Sequence, residues 1–537
     1  AMMRAGGNAI DALVAAAFTG FVVEPASCGV GGYGHLSVRV GATGDMISID
    51  HYVRAPAAAR PDMFAIDHAK PFKYYGFPHS VGMKAERGHL APAVPGAVAG
   101  LCTAQAMFGR LRLAQILEPA IAAAESGVPM SWSLLLVLAP LLDEFRALPE
   151  AAALLLRDGR LPKPPGQLGG GDRLDFSDLA GTLRLIAAHG AAGFYDGPVA
   201  AAIERECTRH GGILTAADLA SYRPRILRET PLRYRDYAYV TCFDQVGYEA
   251  LNILGHFDLA RLGVDSPAYR HVMAEALACG FVDSMTHYGD PDFERAPIAG
   301  LASAEFGAAR ARMIALDRAL ARPVAAADPW KFDANGAPPI AIDAAPGIAK
   351  LDGTSQMVAA DRDGNVASLI TSLTSSFGSL VLVPGTGIFL NNSMQNFDPR
   401  PDQANSIKPG KMPIFAAPAL VAARKDGSCF AAGGSGGYRI TSGVLHAFVH
   451  HVDFQHEVQA AIDAPRVHCQ GQQTYVDGRI APEIRTALAA MGHVLITQTE
   501  DPGLNAYGRV CAVALDRRTG LLTAGAGPSW GAAAGGW

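Results

Sequence analysis

Apolar residues at helical spacing appear close to the start of the chain. Asn8 is a favourable helix N-cap, and the apolar positions after it predict a helix that ends near Pro25. The spacing is formed by Ile10, Leu13, Val14, Ala17, Phe18 and Phe21. The same periodicity predicts a mainly helical region over residues 101–155 and two further helices over residues 176–189 and 267–288.

The pattern changes to β-structure in the last third of the chain. Residues 322–350 contain five prolines and little periodicity, which is typical of an exposed connector, and exposed connectors are where chains are cut. The residues after it predict a short strand over 357–361, a hairpin turn at Asp363 and Gly364, and a return strand over 366–373. The connector therefore separates a helix-rich part from a β-rich part.

A glycine-rich segment, Gly29-Val30-Gly31-Gly32-Tyr33-Gly34, matches the pattern G-x-G-x-x-G. A dinucleotide-binding loop with this pattern needs a strand before it and a helix after it. Here a predicted helix precedes the glycines and a strand-like run over residues 36–40 follows them. The order is reversed, so the segment predicts a tight turn between layers and not a nucleotide site.

Composition and charge exclude several classes of protein. The 537 residues are 50% apolar and only 18% charged, so the chain can bury a large core and is not generally disordered. Its 45 basic and 50 acidic residues give a net charge of −5, which argues against a nucleic-acid partner. The 8 cysteines never form C-x-x-C, which argues against a disulfide scaffold or a zinc ribbon.

The apolar segments do not predict a membrane partner. The richest of them, residues 134–142, is interrupted by Pro140 and is far shorter than the ~20 residues of a membrane-spanning helix. No signal peptide precedes the first predicted helix, which slightly favours a cytoplasmic location. The sequence does not begin with Met, however, so a missing leader is compatible with it and the location stays open.

The first candidate for chemistry is the dipeptide Gly353-Thr354, between the connector and the first predicted strand of the β-rich part. A threonine hydroxyl is a weak nucleophile unless a base lies beside it, and a cut just before the threonine turns its own freed α-amine into that base. The small Gly353 suits a cut that begins when the hydroxyl attacks the preceding carbonyl. Alone, the dipeptide is more typical of an ordinary strand start.

The second candidate is the turn Gly433-Gly434-Ser435-Gly436-Gly437, which follows a short apolar run and precedes a predicted helix. Such a turn directs backbone N–H groups towards a developing negative charge. The turn also fits G-x-S-x-G, with Ser435 as the nucleophile. Its partners would then be His493 and either Asp463 or Asp477. A structural turn, an oxyanion loop and a serine nucleophile all remain open at this point.

Several sequence blocks, in order, resemble the γ-glutamyltranspeptidase family. They extend from the first ten residues almost to the C-terminus, and the ordered set is far more specific than any single block. The blocks are Gly6-Gly-Asn-Ala-Ile-Asp-Ala12, Glu24-Pro25 with Gly29-Val-Gly-Gly32, Ala93-Val-Pro-Gly-Ala-Val-Ala-Gly100, Phe377-Gly378, Leu390-Asn-Asn-Ser-Met-Gln-Asn-Phe397, residues 433–440 and Ala464-Pro-Arg466.

The resemblance implies a fold, a maturation step and a set of catalytic residues. The implied fold is the α+β, four-layer αββα sandwich of N-terminal-nucleophile (Ntn) hydrolases, in a proenzyme that cuts itself into a large chain, residues 1–353, and a small chain, residues 354–537. Thr354 falls on the family's nucleophile, and Ser372 falls on a second threonine whose hydroxyl supports it. Gly436 and Gly437 fall on the glycine pair that holds the oxyanion. No metal or organic cofactor is needed for this reaction.

The substrate-binding positions depart from the family. Tyr52 stands where an arginine is typical, although Arg54 lies two residues further on. Thr374 replaces an asparagine, and Asn396 replaces the acidic residue that binds the amino group of the substrate. An asparagine cannot supply the full charge that a desolvated ammonium group requires, so these changes predict an altered pocket.

Other members of the candidate substrate site lie in the same blocks. Asn392 and Ser393 belong to the block that contains Asn396, and the family's pair of serines is replaced around Phe415 and Ala416. The loss of charged and hydroxyl groups together favours an acyl group other than γ-glutamyl.

The sequence therefore predicts a self-processing amidohydrolase or acyltransferase that cleaves a γ-glutamyl or related small-acyl amide. The acyl group would pass through Thr354 to water or an amine acceptor, and the expected partners are these small molecules and the two chains of one precursor. The alternatives are a serine hydrolase that uses Ser435 and keeps an intact chain, and a non-catalytic member of the family.

Overall fold

The structure is a computed structural model that describes residues 1–70, 77–166, 169–333, 352–414, 417–500, 506–527 and 532–536. Of the predicted connector, residues 322–333 are described and residues 334–350 lie outside the described residues, as do Phe415 and Ala416. Within the described ranges, no helix is both long and apolar enough to cross a membrane.

The helices are concentrated before residue 312. The α-helices are α1 (Ala9–Val23), α2 (Ala97–Phe108), α3 (Leu113–Ser126), α4 (Trp132–Leu138), α5 (Leu142–Arg146), α6 (Pro149–Leu155), α7 (Ser177–His189), α8 (Ala192–Tyr195), α9 (Gly197–Arg209), α10 (Ala216–Ser221), α11 (Gln245–Leu254), α12 (Leu259–Leu262), α13 (Pro267–His287), α14 (Ile298–Leu301), α15 (Ala304–Ala311), α16 (Arg439–Val452), α17 (Val458–Asp463) and α18 (Pro482–Ala490). Short 3₁₀ helices span Met3–Ala5, Val81–Met83, Ala139–Leu141, Pro329–Phe332 and Ser393–Asn396.

The strands come from both parts of the chain. They are β1 (Tyr33–Arg39), β2 (Met46–His51), β3 (Ile66–Asp67), β4 (His79–Ser80), β5 (Val128–Pro129), β6 (Arg173–Leu174), β7 (Arg225–Leu227), β8 (Leu232–Tyr234), β9 (Tyr237–Val240), β10 (Asp352–Ala360), β11 (Val366–Ser375), β12 (Leu382–Val383), β13 (Ile388–Phe389), β14 (Leu420–Ala423), β15 (Cys429–Ser435), β16 (Val467–Cys469), β17 (Gln473–Asp477), β18 (Val494–Gln498), β19 (Arg509–Asp516) and β20 (Leu521–Ala526).

Two antiparallel sheets dominate the β-structure. The first has the strand order β10-β11-β1-β2-β7, and the second has the order β20-β19-β15-β14-β9-β8. Each of these two sheets combines strands from before and after residue 353, so neither part of the chain completes either of them alone. A smaller sheet, β16-β17-β18, and three two-stranded ribbons, β3-β4, β5-β6 and β12-β13, lie outside them.

The two large sheets face each other. Ser368 Oγ in β11 donates a hydrogen bond to the carbonyl of Ala432 in β15 at 2.8 Å. Val366, Ala431 and Val513 contribute to an apolar cluster shared by both sheets. On its other face the first sheet packs on helices that include α1 and α2, and the second packs on helices that include α16 and α17.

Most elements predicted from the sequence are present. The predicted helix after Asn8 is α1, and Asn8 caps it by accepting from the N–H groups of Ile10 and Asp11 at 3.0 Å each. Helices α7 and α13 and strand β11 begin and end within two residues of their predicted limits. The strand predicted over 357–361 is longer in the structure, because pairing with β11 extends β10 back to Asp352. Thr354 therefore lies inside a strand and not ahead of one.

The glycine-rich segment before β1 is a close-approach turn, as predicted. A Cβ at Gly31 would lie 2.3 Å from the carbonyl oxygen of Phe389, and one at Gly32 would lie 2.4 Å from that of Ser372. At Gly34 the carbonyl oxygen of Ile370 would be 2.2 Å away. The glycines allow β1 and its entry to press against β11 and β13, so their role is steric.

This packing predicts opposite effects for alanine at two glycines. Gly34→Ala forces its methyl group against the β11 backbone, so the free energy of unfolding should fall by about 2 kcal/mol or more. Gly181→Ala lies in α7, where nothing is within 4 Å of the new Cβ, and the better helix propensity should leave stability unchanged or raised by up to about 1 kcal/mol. Thermal unfolding of both variants measures the difference, and equal Tm values would contradict the steric explanation.

Candidate active site

A β-bulge positions Thr354. Gly353 pairs with Thr374 and Thr354 pairs with Ser372, so the register skips Leu373. A bulge re-aims side chains along the strand. The hydroxyl oxygens of Thr354 and Ser372 lie 2.9 Å apart, and both residues are buried.

The hydroxyl of Ser372 connects the nucleophile candidate with the peptide bond before it. Ser372 Oγ donates to the carbonyl oxygen of Gly353 at 2.7 Å, and the N–H of Thr374 donates to Ser372 Oγ at 2.9 Å. Because the one hydroxyl proton of Ser372 goes to Gly353, the hydroxyl of Thr354 is the donor in the contact with Ser372. The Gly353–Thr354 peptide therefore has a polarised carbonyl next to a hydroxyl whose proton already points to an acceptor.

Gly353 has a steric role as well. A Cβ at this position would lie 2.3 Å from the carbonyl oxygen of Ser375 and 2.8 Å from that of Ala26. The sequence argument asked only for a small and flexible residue before Thr354. The packing in the structure requires that residue to be glycine.

The glycine turn after β15 lies beside the same cavity as Thr354. A cavity of about 530 Å³ is lined by Ser435 at the end of β15, by Thr354 and its neighbours in β10, and by residues of α1. Gly436 and Gly437, which follow Ser435, have φ angles of +123° and +60°, a region that favours glycine. Their carbonyls accept from the N–H groups of Arg439 and Ile440 in the first turn of α16. The turn therefore carries peptide groups from the edge of this cavity into a helix N-terminus.

Thr374 is held in a strained backbone conformation. Its φ is +80°, which is rare for a β-branched residue and is a reason to look for function. Its hydroxyl lies 2.8 Å from that of Tyr33 and 2.6 Å from that of Ser393. Asn392 supports the same turn, because its Oδ1 accepts from the N–H of Ser375 at 3.0 Å. Three of the predicted substrate residues are thus brought together beside Ser372.

Asn396 lies in a buried polar contact with Tyr52. Its Nδ2 donates to the hydroxyl of Tyr52 at 2.8 Å, and that hydroxyl donates to the carbonyl of Ile414 at 3.2 Å. Among the described residues, Asn396 Oδ1 has no hydrogen-bond partner. Burial is the main cause that raises the pKa of Tyr52 well above its usual range, so the tyrosine is neutral. This pair therefore offers a neutral acceptor oxygen, Asn396 Oδ1.

Arg54 is engaged by a carboxylate of its own chain. Its Nη2 lies 3.6 Å from Asp50 Oδ2, and Arg225 Nε lies 3.1 Å from the same oxygen. Burial favours the neutral form of Asp50, but the hydrogen bond and charge of His35 and the charges of both arginines outweigh it, so the pKa of Asp50 is well below its usual range. A role of Arg54 in binding a substrate carboxylate stays a prediction.

The structure does not assemble a triad around Ser435. His493 Nε2 lies 2.7 Å from His271 Nδ1, and its Nδ1 lies 3.0 Å from Thr474 Oγ1, so its described partners belong to another part of the fold. Asp477 is bound by Arg479 at 2.6 Å. Asp463 accepts from Gln459 at 3.0 Å. Neither aspartate orients His493, as a catalytic triad would require.

Sequence reasoning assigned no role to three residues near the site. Ser355 Oγ donates to Glu24 at the end of α1, next to Thr354. Tyr33 contacts Thr374. Asn391 donates to the carbonyls of Gly31 and Ala93 at 2.9 Å each and so joins three of the resembling blocks. The sequence blocks that resemble the family could have indicated them, because Glu24, Asn391 and the glycines before Tyr33 belong to those blocks.

The buried carboxyl group of Asp244 is the N-cap of helix α11 and also contacts helix α16. Asp244 Oδ2 accepts from the N–H of Gly247 at 3.1 Å and from Thr441 Oγ1 at 3.3 Å, whereas its Oδ1 has no partner in the described part of the chain. Burial raises the pKa of Asp244 to about 7, against lowering by the two hydrogen bonds. The group is therefore neutral in mildly acidic solution.

A hydroxyl pair at a bulge, a cavity and a glycine turn make up the kind of site with which hydrolases activate an alcohol nucleophile. The sequence model of the family described as Gamma-glutamyltranspeptidase matches residues 1–537, so the chain belongs to the γ-glutamyltranspeptidase family. This membership confirms the resemblance and the class of reaction, the hydrolysis or transfer of an amide.

Relatives and a solved structure agree with this membership. The chain is 31% identical over 528 residues to the glutathione hydrolase proenzyme of Bacillus subtilis, which covers 97% of this chain and 86% of that protein. It is 35% identical over 506 residues to the acylase ACY 1 proenzyme of Pseudomonas sp. strain V22, over 92% of this chain and 84% of that protein. The crystal structure of cephalosporin acylase from Bacillus halodurans has a TM-score of 0.82 at 28% identity, over 98% of this chain and 91% of that chain.

The raised pKa of Asp244 predicts a pH-dependent stability. The folded state holds a proton between the unfolded pKa of about 3.9 and about 7, so the contribution of Asp244 is fully present below pH 4 and is lost as pH rises to 7. Asp244→Asn cannot ionise, so its Tm relative to wild type should rise steadily from pH 4 to 7.5. Asp258→Asn, at another helix N-cap that is exposed, serves as the control. A constant difference across this range would contradict the assignment.

Proposed function

We propose that the protein is a self-processing Ntn amidohydrolase in which Thr354 is the nucleophile. The observation that carries the proposal is the placement of Ser372 Oγ, 2.9 Å from Thr354 Oγ1 and 2.7 Å from the Gly353 carbonyl oxygen. An ordinary strand residue has no need for a hydroxyl that contacts both the side chain and the preceding carbonyl.

We propose that maturation uses this geometry. Thr354 Oγ attacks the Gly353 carbonyl carbon, the C–N bond breaks, and an ester between Gly353 and Thr354 Oγ replaces the amide. Water then hydrolyses the ester, which leaves a carboxylate on Gly353 and a free α-amine on Thr354. The products are a large chain, residues 1–353, and a small chain, residues 354–537.

Turnover uses the same hydroxyl on a substrate amide. The freed α-amine of Thr354 takes the hydroxyl proton, and Thr354 Oγ attacks the carbonyl carbon. The N–H groups of Gly436 and Gly437 stabilise the oxyanion, and the leaving amine departs with a proton. Water or an amine acceptor then releases the acyl group from Thr354.

The proposed fold is the four-layer αββα sandwich of Ntn hydrolases. Its support is the contact between Ser368 and Ala432 across the two large sheets and the helices that pack on their outer faces. In this arrangement Thr354 and the glycine turn come from facing sheets, which is what a cavity between them requires.

We further propose that the preferred acyl group lacks a free α-amine. Asn396 has already donated its amide to Tyr52, and it presents a neutral oxygen where an ammonium group needs a carboxylate. Two of the similar proteins bear the name acylase, which is in line with an acyl preference of this kind. A dicarboxylic monoamide such as a glutaryl amide fits this pocket better than a γ-glutamyl amide does.

Self-cleavage can be followed directly on a denaturing gel with intact mass. Wild-type protein should convert to residues 1–353 and 354–537, whereas Thr354→Ala should stay one chain. Ser372→Ala removes the donor to the Gly353 carbonyl and should slow conversion by about 100-fold, and Ser372→Thr should restore it. Folded wild-type protein that remains intact after long incubation would overturn the mechanism.

Ser435→Ala is the matched control in the same experiment. It lines the cavity with Thr354 but has no proposed role in bond cleavage, so it should mature and keep most of its activity. A Ser435→Ala variant that matures normally and is inactive would transfer the nucleophile to Ser435.

Specificity can be tested with two anilides that differ only in the α-amino group. We expect kcat/KM for the glutaryl compound to exceed that for the γ-glutamyl compound by about 10- to 100-fold, because an unpaired buried ammonium costs about 1–3 kcal/mol. Asn396→Asp should reduce the ratio of the two kcat/KM values, and Gln473→Glu, which adds the same charge at an exposed position of β17, should not. A wild-type preference for the γ-glutamyl compound would contradict the proposal.

A further inference from the structure

Three metal-ligating side chains converge far from the catalytic residues in the sequence. His89, Glu206 and His210 each offer one ligand atom, and these atoms all lie within 4.8 Å of one another. Glu206 Oε1 is 2.9 Å from His89 Nε2 and 3.5 Å from His210 Nε2. Four ligands at the usual zinc bond length of about 2.0–2.1 Å are roughly 3.3 Å apart in a tetrahedron, so the present spacing is close to a metal-bound one.

The backbone brings the three residues close together. Glu206 lies in the last turn of α9 and His210 caps its end, so the i,i+4 pair shares one face of the helix. Gly211, with a φ of +74°, turns the chain, and Gly212 closes the turn by donating to the carbonyl of Cys207 at 2.7 Å. A Cβ at Gly212 would lie 2.5 Å from the carbonyl oxygen of His89, so the glycine allows the His89 loop to reach the helix end.

The exposure of the cluster suits a bound ion with one open position. The side chains of His89 and Glu206 are 16% and 12% exposed, whereas that of His210 is 48% exposed. An ion can therefore enter from solvent past His210, and a water molecule can complete the coordination. The two imidazole rings are stacked, with centroids 4.4 Å apart and planes at 19°, so the exposed ring of His210 has to rotate before the in-plane lone pairs of both rings can meet on one ion.

A second cluster of the same residue types is already paired without a metal ion. His271, Glu275 and His493 are fully buried, and Arg322 already binds both carboxylate oxygens of Glu275, at 2.5 and 3.0 Å. The guanidinium of Arg322 supplies the positive charge that a metal ion would bring. For the Glu206 carboxylate, by contrast, the hydrogen-bond and ion-pair partners among the described residues are the two histidines.

We propose that His89, Glu206 and His210 bind one Zn²⁺ ion. Two histidines and one carboxylate with an open fourth position form one of the ligand sets that Zn²⁺ takes in proteins. The ion would clamp the His89 loop to α9, and this loop anchors the candidate substrate segment. The carbonyl of Glu86 accepts from Asn392 Nδ2 at 2.8 Å, and that of Ala91 accepts from the N–H of Met394 at 3.1 Å. The site is structural and takes no part in bond cleavage.

The test measures metal binding directly and does not depend on activity. Full-length protein without an affinity tag, first treated with a chelator, is titrated with Zn²⁺ and analysed for bound metal after gel filtration. We expect one zinc per chain in the wild type and at least about 10- to 100-fold weaker binding in His89→Ala and in His210→Ala. His189→Ala, which removes an exposed histidine at the end of α7, should bind like the wild type.

Thermal unfolding and cobalt spectra keep the test independent of folding defects. Zinc at about 100 times its Kd should raise the Tm of the wild type and of His189→Ala by about 2 °C or more, and should not raise that of the two ligand variants. Co²⁺ in the same site should give the visible absorption of a four-coordinate ion. Wild-type protein that binds no stoichiometric zinc, or ligand variants that bind it as well as the wild type, would overturn the proposal.

Discussion

The pairing of β10 with β11 across one bulge is the constraint on which the candidate site depends. It sets Thr354 opposite Ser372 and leaves Leu373 as the extra residue. Gly34 lets β1 press against Ile370 on the other side of β11, so the position of Ser372 is fixed from both edges. The distance between the two hydroxyls is therefore a property of the sheet, and sites built on sheets are held more accurately than sites built on loops.

The same pairing limits what a cut before Thr354 would disturb. On the amino side of the proposed scissile bond, the described residues that pair with β11 are Asp352 and Gly353, whereas residues 354–360 all pair with it on the carboxyl side. Cleavage would free a short end that holds two pairs and would leave the nucleophile strand in the sheet. The product threonine then keeps its position relative to Ser372 while it gains an α-amine, which allows one geometry to serve both maturation and turnover.

Local sequence signals predicted the helices and strands better than they predicted the contacts between distant residues. The capping pattern at Asn8 and the apolar periodicity placed α1, α7 and α13 within two residues, because these helices follow their own spacing. The start of β10 was missed, since Asp352 to Ser355 are polar or small and only their pairing with β11 makes them a strand. The strained Thr374 and the Tyr52–Asn396 contact join residues far apart in sequence, and no local pattern encodes such a contact. The proposed catalytic positions come from the family resemblance, which carries long-range information that a single pattern lacks.

The groups proposed for catalysis and those proposed for specificity differ in what they require of the sequence. The proposed catalysis uses a hydroxyl pair and backbone N–H groups, and the positions of these groups depend on strand register and on glycines with positive φ. The proposed specificity uses side chains such as Tyr52 and Asn396, which lie outside the paired strands β10 and β11. A neutral pair in place of an arginine and a carboxylate also removes the need to compensate buried charge in the empty pocket. A chain of this family can therefore change its acyl group while it keeps the geometry that breaks the bond.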